Sequence, residues 1–278
     1  MANPPRNRRR ARDNPEPTGI DAIDRLAADR DCSIEDYIVA VSAYVRESHK
    51  LAAGPKKAGQ IRLSNALGRA LVRDLRQRLP HLSEVIVGER KVSGALRTTN
   101  ADVSEVHPLD GLRLAVELKP VNLAVGRAIW NRFGDLRTFA VNLHLKFPFA
   151  VVGGVLVVPT YEEVGTRVAA EAEASEDEAA EDSDIASDGI ADSEAEPGNA
   201  GTQRPTQHLI KRAVQRLVRA GGRKSEADGA HLLEGIAVIA YDPNTGTMDP
   251  DLPPRGSGLR WQEFVEALSS AYEARFET

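Results

Sequence analysis

Three side chains carry the chemistry that this sequence could perform: Asp102, Glu117 and Lys119. Glu117 and Lys119 interrupt an otherwise apolar run of Leu112, Leu114, Ala115, Val116 and Leu118, which reads as a strand. Two apart on that strand, both charges project from one face. Asp102 lies on the preceding strand, joined through a Pro108-Leu109-Asp110-Gly111 turn. A loop of Pro108 to Gly111 puts the pairing axis at 109.5 and Asp102 opposite Glu117. A tight turn centred on Asp110-Gly111 moves the axis to 110.5, and Asp102 then faces Lys119. In both registers all three side chains share a face. Opposite residues have Cβ atoms roughly 5 Å apart, a separation that suits two carboxylates holding one divalent cation. A sheet face open to water would make them ordinary solvated charges. The apolar neighbours argue against that, because burying such charges costs several kcal/mol unless they pair or bind metal.

The elements that must position them follow from periodicity. Ser33 and Asp36 mark a helix start, and Ile34, Tyr37, Ile38, Val41, Tyr44 and Val45 continue it. Gly54-Pro55 is expected to interrupt the chain. A second helix carries Leu63, Leu67, Leu71, Leu75 and Leu79 four apart and ends at Pro80. Val85 to Gly94 reads as a strand broken near Gly88, Ala101 to Val106 as the next, and Leu112 to Lys119 as the third. Ile129, Phe133, Leu136, Ala140 and Leu143 then repeat as one buried face of a long helix. Phe149 to Val158 is a nearly continuous apolar run and predicts a strand covered on both sides. Gln207 to Ala220 predicts a helix with Lys211, Arg212, Arg216 and Arg219 outward. Leu233 to Tyr241 predicts a strand and Trp261 to Phe276 a final helix.

The 278 residues hold 36 Lys and Arg against 41 Asp and Glu, a net charge of −5. That sum hides two unlike parts. Glu162 to Glu196 contains 14 acidic residues and one base, Arg167, among Ala, Ser and Gly. Such a segment buries too little apolar surface to offset its ordering entropy and reads as a disordered insertion. Removing about −13 from −5 leaves about +8 on the rest, the sign a phosphate-binding body needs. Arg6, Arg8, Arg9, Arg10 and Arg12 make a basic N-terminal arm, either a phosphate contact or a solvated terminus. The single cysteine, Cys32, excludes a disulfide framework and fits a reducing compartment. No apolar run is long enough to span a membrane, and the basic start lacks the apolar stretch of a secretory signal. A cytoplasmic location is expected.

Asp102, followed by Glu117-Leu118-Lys119 at the end of an apolar strand, resembles the motif of the PD-(D/E)XK nuclease superfamily. The order helix, three strands, helix, strand over about Gly59 to Pro159 resembles that superfamily's common core. Asp102 follows Ala101 where the family motif has Pro, so it is assigned by strand phase. The resemblance implies an α/β fold, with a mixed central sheet flanked by helices. It also implies Mg²⁺-dependent hydrolysis of phosphodiester bonds in double-stranded DNA. Asp102, Glu117 and the Leu118 backbone carbonyl would hold the metal, while Lys119 would orient the attacking water. A type II restriction endonuclease is the commonest setting for a compact chain of this kind, and a homodimer would then be expected. A repair or recombination nuclease, or a non-catalytic DNA-binding or defence module, are the alternatives.

The expected organisation is a basic arm over residues 1–18, a helical region over 19–58, a nuclease core over 59–160, an acidic insertion over 161–206 and a helix–strand–helix unit over 207–278 that packs on the core. The insertion, lying between the core's last strand and the basic helix, is expected to compete with DNA for that helix. Glu84 and Glu89 are either surface charges, the reading their setting favours, or auxiliary acidic ligands, and His107 is a turn residue. Arg127, Arg132 and Arg137 are either phosphate contacts or a solvated helix face. No P-loop, His-Glu-x-x-His helix, Gly-x-Ser-x-Gly elbow or Cys-x-x-Cys pair is present.

Overall fold

The computed structural model describes residues 18–29, 31–82, 84–121, 125–163 and 203–277. The basic arm and most of the acidic stretch lie outside these residues. Helix α1 (Asp21–Ala28) leads to α2 (Ile34–Glu47), whose start is a full capping box. The Asp36 amide donates to Ser33 Oγ over 3.1 Å, and the Ser33 amide donates to Asp36 Oδ2 over 2.9 Å. Helix α3 runs from Ala53 to Arg78. Gly54-Pro55 therefore opens this helix, because first-turn amides have no intrahelical partner and Pro55 loses nothing there. Its Leu63, Leu67, Leu71 and Leu75 are all buried, each contributing about 1.5–3 kcal/mol of burial free energy.

The strands are β1 (Val85–Ser93), β2 (Thr98–His107), β3 (Gly111–Pro120), β4 (Val151–Pro159), β5 (Tyr161–Glu163), β6 (Gln203–Pro205), β7 (Gly235–Asp242) and β8 (Thr247–Met248). Six form one mixed sheet in the order β1-β2-β3-β4-β7-β8, and β5 pairs only with β6. β1, β2 and β3 are antiparallel neighbours, while β3-β4 and β4-β7 are parallel. Helix α4 (Val125–His144) connects β3 to β4; α5 (Gln207–Leu217) and α6 (Trp261–Phe276) complete the chain. The unit after the acidic stretch thus extends the same sheet. Among the described residues no helix is long and apolar enough to cross a membrane.

Two apolar layers sandwich this sheet. One joins α1, α2, α3 and α6 to Val103, Val116, Leu118 and Val155; the other joins α4 and α5 to Ala115, Val152, Leu156 and Val238. Every residue of β4 is buried, as the two-sided apolar run requires. Its adjacent glycines admit a helix on each face. A Cβ on Gly153 would lie 3.0 Å from Phe264, and one on Gly154 would lie 2.8 Å from Leu136.

A buried charge cluster ties the lower ends of these elements together. Glu234 Oε1 accepts from Arg223 and Arg275, each over 2.8 Å, and Glu234 Oε2 accepts from the Val152 amide over 2.7 Å. His144 Nε2 lies 3.2 Å from the same Oε2. The Glu234 side chain is fully enclosed. These bonds hold its carboxyl below the ordinary glutamate range against the opposing effect of burial.

Candidate active site

The β2–β3 hairpin decides where the three charges meet. At its tip His107 pairs with Gly111 and Val106 with Leu112. Gly111 takes a φ of +74°, which a residue with a Cβ adopts only under strain. One extra residue, Arg113, then enters β3, and Glu105 pairs with Leu114 and Val103 with Val116. The bulge sets the register centred on 109.5, the one in which a further step of the ladder would place Asp102 opposite Glu117. Asp110 pairs with Arg113 and His107 in the turn.

The regular ladder ends at Val103–Val116. Beyond it the outer half of the β1–β2 hairpin turns toward α4, where Val92 and Ala101 join the α4 layer. Asn142 near the end of α4 clasps the hairpin tip. Its Oδ1 accepts from the Leu96 amide over 2.8 Å and from the Arg97 amide over 3.1 Å, while its Nδ2 donates to the Arg97 carbonyl over 2.9 Å. Asp102 stands at the point of departure. Its Oδ2 accepts from the Leu118 amide over 2.7 Å, replacing an acceptor that the departing strand no longer offers. In a strand the N–H and C=O of one residue point to the same side. The Leu118 carbonyl therefore faces the same gap.

This gap opens into a cleft of about 580 Å³ at the carboxyl end of β3, the end where α/β sheets place ligands. Glu89, Asp102, Glu117, Lys119 and Arg132 line it, with Gln60 and Ser64 of α3 on the facing wall. Glu117 and Lys119 form an ion pair, with side chains only 12% and 22% exposed. Burial pushes the Glu117 carboxyl up to about 7, against the opposing pull of Lys119; Asp102 and Asp135 add smaller upward effects. Burial also raises Asp102, with the Leu118 amide and Lys119 opposing and Glu89 reinforcing. Two neighbouring carboxylates are thus disfavoured as anions, and one ammonium does not offset them.

That imbalance fits a divalent cation. The donors are hard oxygens, from Asp102, Glu117 and the Leu118 carbonyl. Among the described residues no group of three His, Cys, Asp or Glu side chains converges on a metal position. A set of two carboxylates with the remainder left to water is how Mg²⁺ is commonly held.

The other sequence candidates separate by position. Glu89 reaches the cleft from a bulge in β1 beside Gly88, whose φ is +105°, and accepts from Asn100 Nδ2 over 3.2 Å. Glu84 is exposed at the far end of β1. His107 is bound into the turn, its Nδ1 3.3 Å from the Leu109 amide. Arg132 lines the cleft and pairs with Asp135 over 3.0 Å; Arg127 and Arg137 do not line it. Arg212 and Arg216 stack over the Trp130 ring at 5.6 and 4.5 Å, so the basic face of α5 packs beside α4. Sequence reasoning missed Gln60 and Ser64, which lie at i and i+4 on the polar side of the Leu63 stripe, and Asn142. No known family profile matches this chain, and no curated protein and no solved structure matches it either.

Proposed function

We propose that this protein is a Mg²⁺-dependent DNA endonuclease that works in the manner of type II restriction enzymes. The observation that carries the reading is that Asp102 and Glu117, each one residue beyond the last Val103–Val116 pair, line one cleft at the end of β3, with Lys119 paired to Glu117. The element order α3-β1-β2-β3-α4-β4 around it supports the resemblance to the PD-(D/E)XK superfamily. Asp102, Glu117 and the Leu118 carbonyl would hold Mg²⁺, which would supply Lewis acidity to the scissile phosphate and to the attacking water. Lys119 orients that water and offsets the extra negative charge of the phosphorane. Arg132, on the rim, holds a non-bridging phosphate oxygen. Water adds to phosphorus, one P–O bond to sugar breaks, and the products are a phosphate monoester and an alcohol. Cutting both strands of a duplex calls for two such sites, and hence a homodimer.

The test is incubation of the purified protein with plasmid and phage DNA in Mg²⁺. Discrete fragments support a sequence-specific enzyme and smearing a non-specific nuclease. Retained binding without cleavage, or full cleavage by the Lys119→Ala variant, would end the assignment.

A further inference from the structure

A second groove lies outside the catalytic cleft, between α3 and the outer edge of the sheet. Its volume is about 650 Å³, and Arg69, Arg73, Arg76, Val72, Val85 and Val87 supply most of its walls. The arginines are spaced i, i+4 and i+7, so they form one cationic stripe along the helix. The acid in the groove wall, Asp31, lies 3.2 Å from Arg73 and is 79% exposed. Arg69 donates from Nη2 to the Leu26 carbonyl over 2.9 Å, which leaves its buried Nε without a partner. Beneath this stripe the valines make an apolar floor.

The opposite wall is a strand edge. β1 is outermost in the sheet, and among the described residues no strand pairs with its free side. Alternate main-chain N–H and C=O groups there face away from β2. The bulge between Val87 and Arg90 ends the regular edge, so the run Val85–Val87 is the part without a strand partner on its outer side among the described residues. An exposed edge recruits extended peptide by adding a strand, and the stripe above it selects negative charge. Among the described residues no aromatic side chain lines the groove for base stacking. A second copy of the chain would bring an identical arginine stripe against the first.

We infer that this groove is a docking site for an extended acidic segment of a partner protein, added as a short strand on β1 beneath the α3 arginines. The inference does not depend on the nuclease reading. The probe is a fluorescent peptide alternating Glu and Val, read by anisotropy at low salt with the full chain. Saturable binding is expected. It should weaken about tenfold with Arg73→Glu and Arg76→Glu together, and comparably when alternate peptide amides are N-methylated. Plasmid cleavage by that double variant should equal wild type, whether or not the nuclease reading holds. The inference is overturned by absence of saturable binding, by equal binding of the N-methylated peptide, or by duplex DNA displacing the peptide and losing affinity in the double variant. Binding that emerges only after deletion of residues 171–196 would make the chain's own acidic run the occupant and would also overturn it.

Discussion

The Asp102 carboxylate caps the Leu118 main-chain amide over 2.7 Å at the point where β2 leaves β3. The side chain therefore has a structural bond through one oxygen and a free oxygen for the cleft. Asp102→Asn should keep the bond to Leu118, because an amide oxygen still accepts, while losing the charge. Cleavage and Mg²⁺ affinity should fall at least a hundredfold, with a melting temperature at neutral pH no lower than that of wild type, because burial disfavours the Asp102 charge. Asp102→Ala should lose about 1 kcal/mol of stability as well. Cleavage assays and urea titration of the pair separate the two roles.

Glu117, pushed up to about 7 by burial, makes stability depend on pH in a definite direction. A carboxyl raised in the folded state binds more protons there than in the unfolded chain, between the ordinary glutamate value and about 7. Stability then falls as pH rises through that window. Glu117→Gln should melt a few degrees above wild type at pH 8 and close to it at pH 4.5, even as it abolishes cleavage. Mg²⁺ should raise the wild-type melting temperature more at pH 8 than at pH 6, and calorimetry should detect proton release on binding.

Lys119 is the positive partner of Glu117. Removing it takes away the interaction that draws the Glu117 carboxyl downward. Lys119→Ala should therefore abolish cleavage, and its half-maximal Mg²⁺ binding should move to higher pH. An unmoved midpoint in a pH series of Mg²⁺ titrations would show that the ion pair does not control the carboxylate.

The Glu234 cluster predicts the largest loss of stability from a single change. Glu234→Ala would leave Arg223 and Arg275 enclosed without a counter-charge. Breaking a buried pair from one side costs about 3–5 kcal/mol. Denaturant unfolding should show a loss on that scale, and because no member of the cluster lines the cleft, cleavage by the surviving folded fraction should be normal.

Asn142 predicts a subtler effect. Asn142→Ala frees two amides and a carbonyl at the β1–β2 tip, which should cost about 1–3 kcal/mol. Because the same hairpin carries Glu89 and Asp102 to the cleft, cleavage should drop several-fold with little change in DNA binding.

Local pattern reaches much of this fold. The leucine stripe of α3, the capping box of α2, the two-sided burial of β4 and the bounds of α6 all follow from spacing and from caps. The shared face of Asp102, Glu117 and Lys119 follows from strand parity. Parity left two registers open, and the choice fell to a bulge at Arg113 that no turn rule requires. The Asn142 clasp joins residues 46 apart in sequence and ties the hairpin tip to α4. Glu105 looks like a surface charge in an alternating strand. It is buried because Tyr272 of α6 donates to it over 2.7 Å, a partner that no short-range pattern identifies. The charge arithmetic separated a basic body from an acidic run, but it did not show that the body's arginines divide among the cleft rim, the α3 groove and the Trp130 stack.

The small β5–β6 pair has a consequence for how this protein can be altered. Glu162 accepts from the Val125 amide at the start of α4 over 2.9 Å, and the Thr206 amide donates to the Thr160 carbonyl over 2.9 Å. Glu163 and Gln203 are ladder partners, so residues 164–202 leave and rejoin the body at neighbouring points. The entropic cost of closing a loop at such a junction grows only slowly with its length. The junction is therefore a graft port: a chain of another length can be joined at these two points while the six-stranded sheet keeps its shape.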